Sequence, residues 1–399
     1  MINWKKNLFF IWLAQFLSTL GFSFSIPFIP FYIKELGSFG SAEQSLWVAL
    51  FAAAGSVSLF LFSPIWGTLS DIYGRRLMVL RANFGCGLLM PLMAFVPGVG
   101  WLVFLHFFVG VFSGTVTASQ ILVSSTTPMS RRGFAMGLIS SSVYGGMSAG
   151  MFLGGILADH CGYRNSFFIS GLVLLMSGVL TVFGVKEDFI RTSTLRERIG
   201  AFKFEPPSFG LAWLILMLIL MMGFASRFDL PFLPMLVEAV NGPDKAASWT
   251  GTIAGFAAVA GLFSGSVLGW MADRYSAPRV AVGSALLAGL LLIPQALATG
   301  MTMLLAARVG MVFFVGGLDP VFQIWLAKAT PDHRRGQFFG WATSAKSFGW
   351  FLSSLTGGAV AMSLGIRWVY LVAAVLFIAL IPVIRMTARK LGKSVKQEN

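Results

Sequence analysis

The chain has 399 residues, of which 56% are hydrophobic and only 11% charged, with a formal net charge of +14. A soluble protein of this length cannot hide so much apolar surface, which excludes a soluble enzyme or carrier. The basic excess would suit nucleic acid, but it falls in short runs between long apolar stretches, which excludes that partner and points to a lipid bilayer.

Taken in chain order, twelve apolar stretches occur, at about 8–33, 46–66, 77–97, 101–125, 134–157, 166–185, 209–237, 248–271, 279–298, 302–326, 337–361 and 366–387. Each is long enough to cross a membrane as a helix. At about 20 residues each they use about 240 residues and leave only loops and tails. The fold class expected is an all-α membrane protein with twelve transmembrane helices. Lys5, Lys6, Arg75, Arg76, Arg131, Arg132, Arg196, Arg198, Arg274, Arg334, Arg335, Arg389 and Lys390 gather beside alternate ends of these stretches. The positive-inside bias then places both termini in the cytoplasm, in the cytoplasmic (inner) membrane. The stretch from Leu8 to Ile33 is too long for a cleavable signal, and no small-residue cleavage site follows it.

The two halves of the chain repeat one another. Thr127-Pro128, Arg131-Arg132-Gly133 and Gly137 return 203 residues on as Thr330-Pro331, Arg334-Arg335-Gly336 and Gly340. Gly154, Gly155, Gly162 and Arg164 return as Gly357, Gly358, Gly365 and Arg367. Pro27 and Pro30 return as Pro231 and Pro234. The substantial polar break, Lys186 to Ser208, divides the copies. The expected organisation is a six-helix bundle at 1–185, a cytoplasmic linker at 186–208 and a second bundle at 209–399, related by pseudo-symmetry around a cavity. Duplicated membrane bundles of this kind open a central site to each side in turn.

The segment Gly67-Thr68-Leu69-Ser70-Asp71-Ile72-Tyr73-Gly74-Arg75-Arg76 resembles the loop between helices two and three of the major facilitator superfamily. Loop position, duplication and twelve spans agree, and the resemblance covers essentially the whole chain. A carboxylate and two guanidinium groups beside a helix N-terminus can lock neighbouring helices together. The resemblance implies that Gly67, Asp71, Gly74, Arg75 and Arg76 form a cytoplasmic gate latch. In the second copy Asp273 persists, but Ser276, Ala277 and Pro278 stand where Gly74, Arg75 and Arg76 stand in the first. Gly146, Gly150, Gly154 and Gly155 are similar to the glycine motif of the family's twelve-helix drug:proton antiporters, with Met151 where those usually have Pro. As residues spaced by four, Gly146, Gly150 and Gly154, like Gly261, Gly265 and Gly269, suit close helix packing; Gly150 and Gly154 also join the gating candidates. His106 lies four residues before Gly110, where exporters of this type often carry Arg, and a titratable imidazole there admits a proton relay.

Charges inside spans cost about 2.5–3.5 kcal/mol each and need a reason. Arg227, Asp229, Asp319 and Lys346 all lie in the second half, where the first has Ser23, Ser25, Val116 and Val143. Asp319 and Lys346 lie roughly 18 Å and 15 Å above the cytoplasmic ends of their spans. They are expected to face the cavity and interact, directly or through substrate, or else to form an architectural ion pair between adjacent helices. Arg227 and Asp229 are two residues apart, point to nearly opposite sides of a regular helix and cannot pair. Pro231 and Pro234 should bend the span there. One of the two is expected to face the cavity near its outer mouth, with Asp229 preferred as a proton or cation site. Gln323, one turn beyond Asp319, and its repeat partner Gln120 are candidate hydrogen-bonders. Phe24, Phe28, Tyr32, Trp325 and Trp341 are candidate lining aromatics.

These readings converge on a secondary active transporter working by alternating access, which the resemblance points towards proton-coupled export of a small amphipathic compound or drug. The alternative is export or uptake of an anionic metabolite or carboxylate-type siderophore, held by Arg227, Lys346, Arg308 and His106. A membrane enzyme is disfavoured because His106, His160 and His333 are scattered and form no metal spacing. A channel is disfavoured by the gate loops. No cofactor is expected, protons are the expected coupling ion, and the expected partners are a small-molecule substrate and the lipid bilayer, with the protein a monomer.

Overall fold

The computed structural model describes residues 3–189, 210–330 and 335–398, without the side chains of 68, 71, 273, 335–337 and 393–398. Most of the expected linker (190–208), the centre of the second Thr-Pro loop (331–334) and the side chains of Asp71 and Asp273 therefore lie outside the described residues.

Among the described residues the regular structure is helical throughout. In a bilayer the backbone must satisfy its own hydrogen bonds, and a helix does so within one segment. The first half contains α1 (Trp4–Ser25), α2 (Ile29–Leu36), α3 (Ser41–Tyr73), α4 (Arg75–Met93), α5 (Val99–Phe112), α6 (Thr115–Thr126), α7 (Arg132–Cys161) and α8 (Tyr163–Gly184). The second contains α9 (Leu211–Ser226), α10 (Leu233–Asn241), α11 (Ala246–Met271), α12 (Ala277–Ala296), α13 (Met301–Gly316), α14 (Leu318–Lys328), α15 (Arg335–Leu364) and α16 (Ile366–Glu398). Four of the twelve apolar segments are each broken into two helices. The α1–α2 and α9–α10 breaks hold short 3-10 turns at Ile26–Phe28 and Leu230–Phe232. Each follows from a repeated proline pair, because proline removes a donor and clashes with the preceding turn. The α5–α6 and α13–α14 breaks fall at Gly114 and Gly317, 203 residues apart. Nine stretches of the described residues are long and apolar enough to cross a membrane by length and composition alone.

The helices gather into two compact units. The first comprises Met1–Ser38, Val57–Phe204 and Lys245–Gly255; the second comprises Phe39–Ser56, Glu205–Asp244 and Phe256–Asn399. Relative to bundles cut at 185 and 209, the starts of α3 and α11 are exchanged. Glycine explains both exchanges. A Cβ on Gly155 of α7 would stand 2.5 Å from the Ala247 carbonyl of α11, and one on Gly358 of α15 would collide with Ala49 of α3.

Inside each unit the same seam recurs. In the first, α7 lies against α1 so closely that a Cβ on Gly150 or Gly154 would reach within 2.5 Å of the Leu20 or Phe24 carbonyl, and one on Gly146 would collide with that of Phe16. In the second, α15 lies against α9, with Gly349 facing the Leu220 carbonyl at 2.5 Å and Gly357 facing that of Phe228 at 2.9 Å. Phe16 and Leu220, and Phe24 and Phe228, are each 204 residues apart, so the duplication extends to individual contacts. The second glycine stripe does not behave this way. A Cβ on Gly265 or Gly269 meets nothing within 4 Å, because α11 makes its close approach at Ser264 and Leu268, opposite Gly316 and Gly317.

Candidate functional site

Broken helices at matching places in the two halves of a transporter expose backbone and concentrate polarity where a solute can meet it. In the second unit both breaks are charged. The α13–α14 break ends at Gly317, which starts α14 and sets Asp319 in its first turn. A carboxylate there complements the positive end of the helix dipole. Lys346 of α15 donates to Asp319 Oδ2 at 2.9 Å, and the two side chains are 25% and 36% exposed. Asp319 Oδ1 makes no hydrogen bond among the described residues, and neither does Oε1 of Gln323, one turn along α14. Trp350 lies one turn beyond Lys346 on α15, and the ammonium stands 5.6 Å from its ring centre.

The α9–α10 break carries the other two charges. Arg227 closes α9, is exposed, and lies with its guanidinium 4.6 Å from the centre of the same Trp350 ring. Cation–π contact is favourable for both cations. Among the described residues no carboxylate pairs with Arg227. Asp229, two residues on, begins the turn at Pro231 and points the other way. It is fully buried and accepts from Arg308 of α13, whose side chain is only 4% exposed. Tyr370 of α16 is fully buried within electrostatic reach of both, and its hydroxyl and Asp229 Oδ1 make no hydrogen bond among the described residues.

The second unit thus holds a partly open array of Arg227, Trp350, Lys346, Asp319 and Gln323, and a sealed cluster of Asp229, Arg308 and Tyr370. This corrects two expectations. The exposed member of the Arg227–Asp229 pair is Arg227, because the proline turn directs Asp229 into the helix packing. Arg308 is held inside that packing by Asp229 and presents no face to an anionic cargo. His106 and Gln120, half-buried on α5 and α6, belong to the first unit. Phe24, Phe28, Tyr32 and Trp325 are buried packing residues; Tyr32 donates to the Met93 carbonyl at 3.0 Å. Trp341 stands edge-on to Trp213 at 5.5 Å. Trp350 and Tyr370 carry no sequence signal beyond helical spacing, with Trp350 four residues from Lys346.

In the first unit the breaks are filled differently. At the α5–α6 break, Gly114 has φ +120°, a conformation that glycine adopts without strain. The carbonyls of Phe112 and Ser113 accept from Arg81 at 3.1 and 2.9 Å, and that guanidinium lies 3.6 Å from the centre of the Trp66 ring. Trp66 Nε1 donates to the Val111 carbonyl at 2.7 Å. Arg81 therefore caps the negative end of α5.

The loop before α4 shows a further acid. Gly74 takes φ +92°, and the amides of Arg75 and Arg76 donate to the two oxygens of Glu187 at 3.0 and 2.8 Å. Glu187 thus receives the first amides of α4, while Arg76 donates to the Val182 carbonyl at 2.7 Å. Glu187 marks itself in sequence only as an acid just after a span. The corresponding stretch in the second half has no such turn. A π-helical segment at Ala272–Ser276 joins α11 to α12. Gly67 sits in open space at the end of α3, while Gly150 and Gly154 serve the α1–α7 seam.

Sequence comparison agrees with this architecture. A profile of the Major Facilitator Superfamily matches residues 11–264 and 215–398. The multidrug resistance protein MdtG of Escherichia fergusonii is 31% identical over 377 residues, covering 94% of this chain and 92% of that protein. The MdtG of Salmonella typhimurium is 30% identical over 379 residues, covering 94% and 93%. Among solved structures, a mutant of the nucleoside transporter NupG superposes with a TM-score of 0.77 at 11% identity, covering 95% of this chain and 99% of that one. The human organic anion transporter MFSD10 (TETRAN) does so with a TM-score of 0.67 at 14% identity, covering 96% and 100%. The chain is a multi-pass membrane transporter, not an enzyme, and belongs to the Major Facilitator Superfamily.

Proposed function

We propose that this transporter exports small amphipathic organic compounds by alternating access, driven by protons, from a cytoplasmic membrane in which both its termini face the cytoplasm. The Asp319–Lys346 pair is the coupling element. The observation that carries this is its partial exposure, 25% and 36%, beside the sealed Asp229–Arg308 pair. A proton can reach Asp319 from solvent. Protonation at Oδ2 breaks the ion pair and releases Lys346; loss of that proton to the other side restores it. Trp350, flanked by Arg227 and Lys346, offers a flat apolar surface with charge at its edges, a fit for amphipathic molecules. The naming of the MdtG relatives as multidrug resistance proteins supports the substrate class.

One observation favours a second cargo class. Arg227 is exposed and without a carboxylate partner among the described residues, so the open array carries a net positive charge. Amphipathic anions would complete it.

Proteoliposomes with an imposed pH gradient test both readings, using cationic dyes and aromatic carboxylates as substrates. Asp319→Asn should lower gradient-driven flux at least about tenfold while leaving counterflow exchange measurable. Gradient-driven flux undiminished in Asp319→Asn would sink the coupling assignment. Transport of carboxylates alone, lost in Arg227→Gln, would select the anionic cargo.

A further inference from the structure

The last helix outruns its repeat partner. α8 spans 22 residues and ends at Gly184, whereas α16 spans 33 and continues to Glu398. At 1.5 Å per residue these are about 33 Å and about 50 Å, against a hydrocarbon core of about 30 Å. Counted from Ile366, about 20 residues fill that core, so Arg385 stands at its border and Arg389 and Lys390 among the headgroups.

This stretch keeps one packed face and one free face. Ile384 and Thr387 are buried, whereas Pro382, Arg385, Met386, Arg389 and Lys390 are exposed. Among the described residues Ile381, Pro382, Arg385, Met386, Arg389 and Lys390, all on α16, line an open groove of about 590 Å³ along its free flank. Its polar groups are three cations, and no carboxylate among the described residues pairs with any of them. One basic residue at an interface needs no explanation, since long side chains reach water there. Three beside one another, at headgroup depth and above an apolar wall, concentrate positive charge where anionic headgroups lie.

We propose that this groove binds the headgroup of an anionic phospholipid. Arg385, Arg389 and Lys390 hold the phosphate oxygens, and Ile381, Pro382 and Met386 receive the glycerol end of the acyl chains. Charge complementarity and depth both select a lipid: basic residues near a bilayer surface attract anionic headgroups, and the apolar wall lies on the hydrocarbon side of the cations.

Native mass spectrometry of the purified full chain in neutral detergent tests this, with phosphatidylglycerol and phosphatidylcholine titrated in parallel. The wild type should retain phosphatidylglycerol at least about tenfold better than phosphatidylcholine. R385Q/R389Q/K390Q should lose that preference; R385K/R389K/K390R and R131Q/R132Q should keep it. A melting transition recorded for each variant shows whether it folds, and if the triple variant does not, R389Q alone should weaken retention about fivefold. The proposal is overturned if the neutralised variant retains phosphatidylglycerol like the wild type, or if R131Q/R132Q loses it equally. It is also overturned if inorganic phosphate displaces the lipid at equal concentration, which would mark the groove as a site for soluble anions.

Discussion

At the α1–α2 break, Ser25 is buried and accepts a hydrogen bond from Ser170 at 3.0 Å. At the equivalent break 204 residues on, Asp229 is buried and paired with Arg308. The backbone interruption is the same, enforced by the same proline spacing, but one copy fills it with neutral hydroxyls and the other with full charges. The glycine breaks differ in the same sense. In the first unit Arg81 is committed to the carbonyls that end α5. In the second, Asp319 meets a lysine while both remain partly open. Duplication thus preserved where the helices part, and the halves diverged in which polar groups fill the breaks and in how far these are sealed.

The largest expected effect breaks the sealed pair. Arg308→Ala leaves a buried carboxylate without its cation and should cost about 3–5 kcal/mol. Ser170→Ala, at the neutral twin, should cost about 0.5–1.5 kcal/mol. Melting temperatures of the two purified variants in the same detergent decide the matter. Similar shifts would mean that the ion pair carries no more of the fold than a hydroxyl pair, and the contrast between halves would fail.

A middle-sized effect tests the shared seam instead. Gly349→Ala puts a methyl group 2.5 Å from the Leu220 carbonyl, which is backbone and cannot swing aside. Overpacking of this kind costs about 1–3 kcal/mol. Gly154→Ala, facing the Phe24 carbonyl at the same distance, should match it. Gly265→Ala enters open space and should be neutral or slightly stabilising, by at most about 1 kcal/mol. A Gly265→Ala loss as large as that of Gly349→Ala would show that glycine spacing, not contact, sets the cost.

Much of this was legible in the sequence because it rests on periodicities that residues declare for themselves. Apolar length marked the spans, and repeated Gly, Pro and Arg marked the copies. Arg227, Asp229, Asp319 and Lys346 stood out because lipid penalises charge. Which of them remain exposed was not legible. Arg227 and Asp229 differ by two positions, and only the turn around Pro231 decides which one enters the packing. The two glycine stripes were equally regular, yet Gly146, Gly150 and Gly154 face a neighbouring backbone whereas Gly265 and Gly269 face open space. Glu187 was hidden for a similar reason: its role depends on the chain after α8 returning to the N-terminus of α4, a contact across more than a hundred residues of sequence.

The smallest effect sharpens the comparison at that loop. Glu187 satisfies two leading amides of α4 in the first half, whereas the second half joins α11 to α12 through a π-helical segment with no comparable turn. Glu187→Gln keeps one accepting oxygen, loses the charge that complements the helix dipole, and should cost about 1 kcal/mol. A purely architectural cap would lower the melting temperature and leave flux per folded molecule unchanged. A latch that holds the loop in one transport state would do the reverse, shifting flux at a small change in melting temperature, since the state it stabilises would be less populated. Measuring both quantities on Glu187→Gln therefore separates a helix cap from a gate, and the second half, lacking the acid, predicts that any such gate is one-sided.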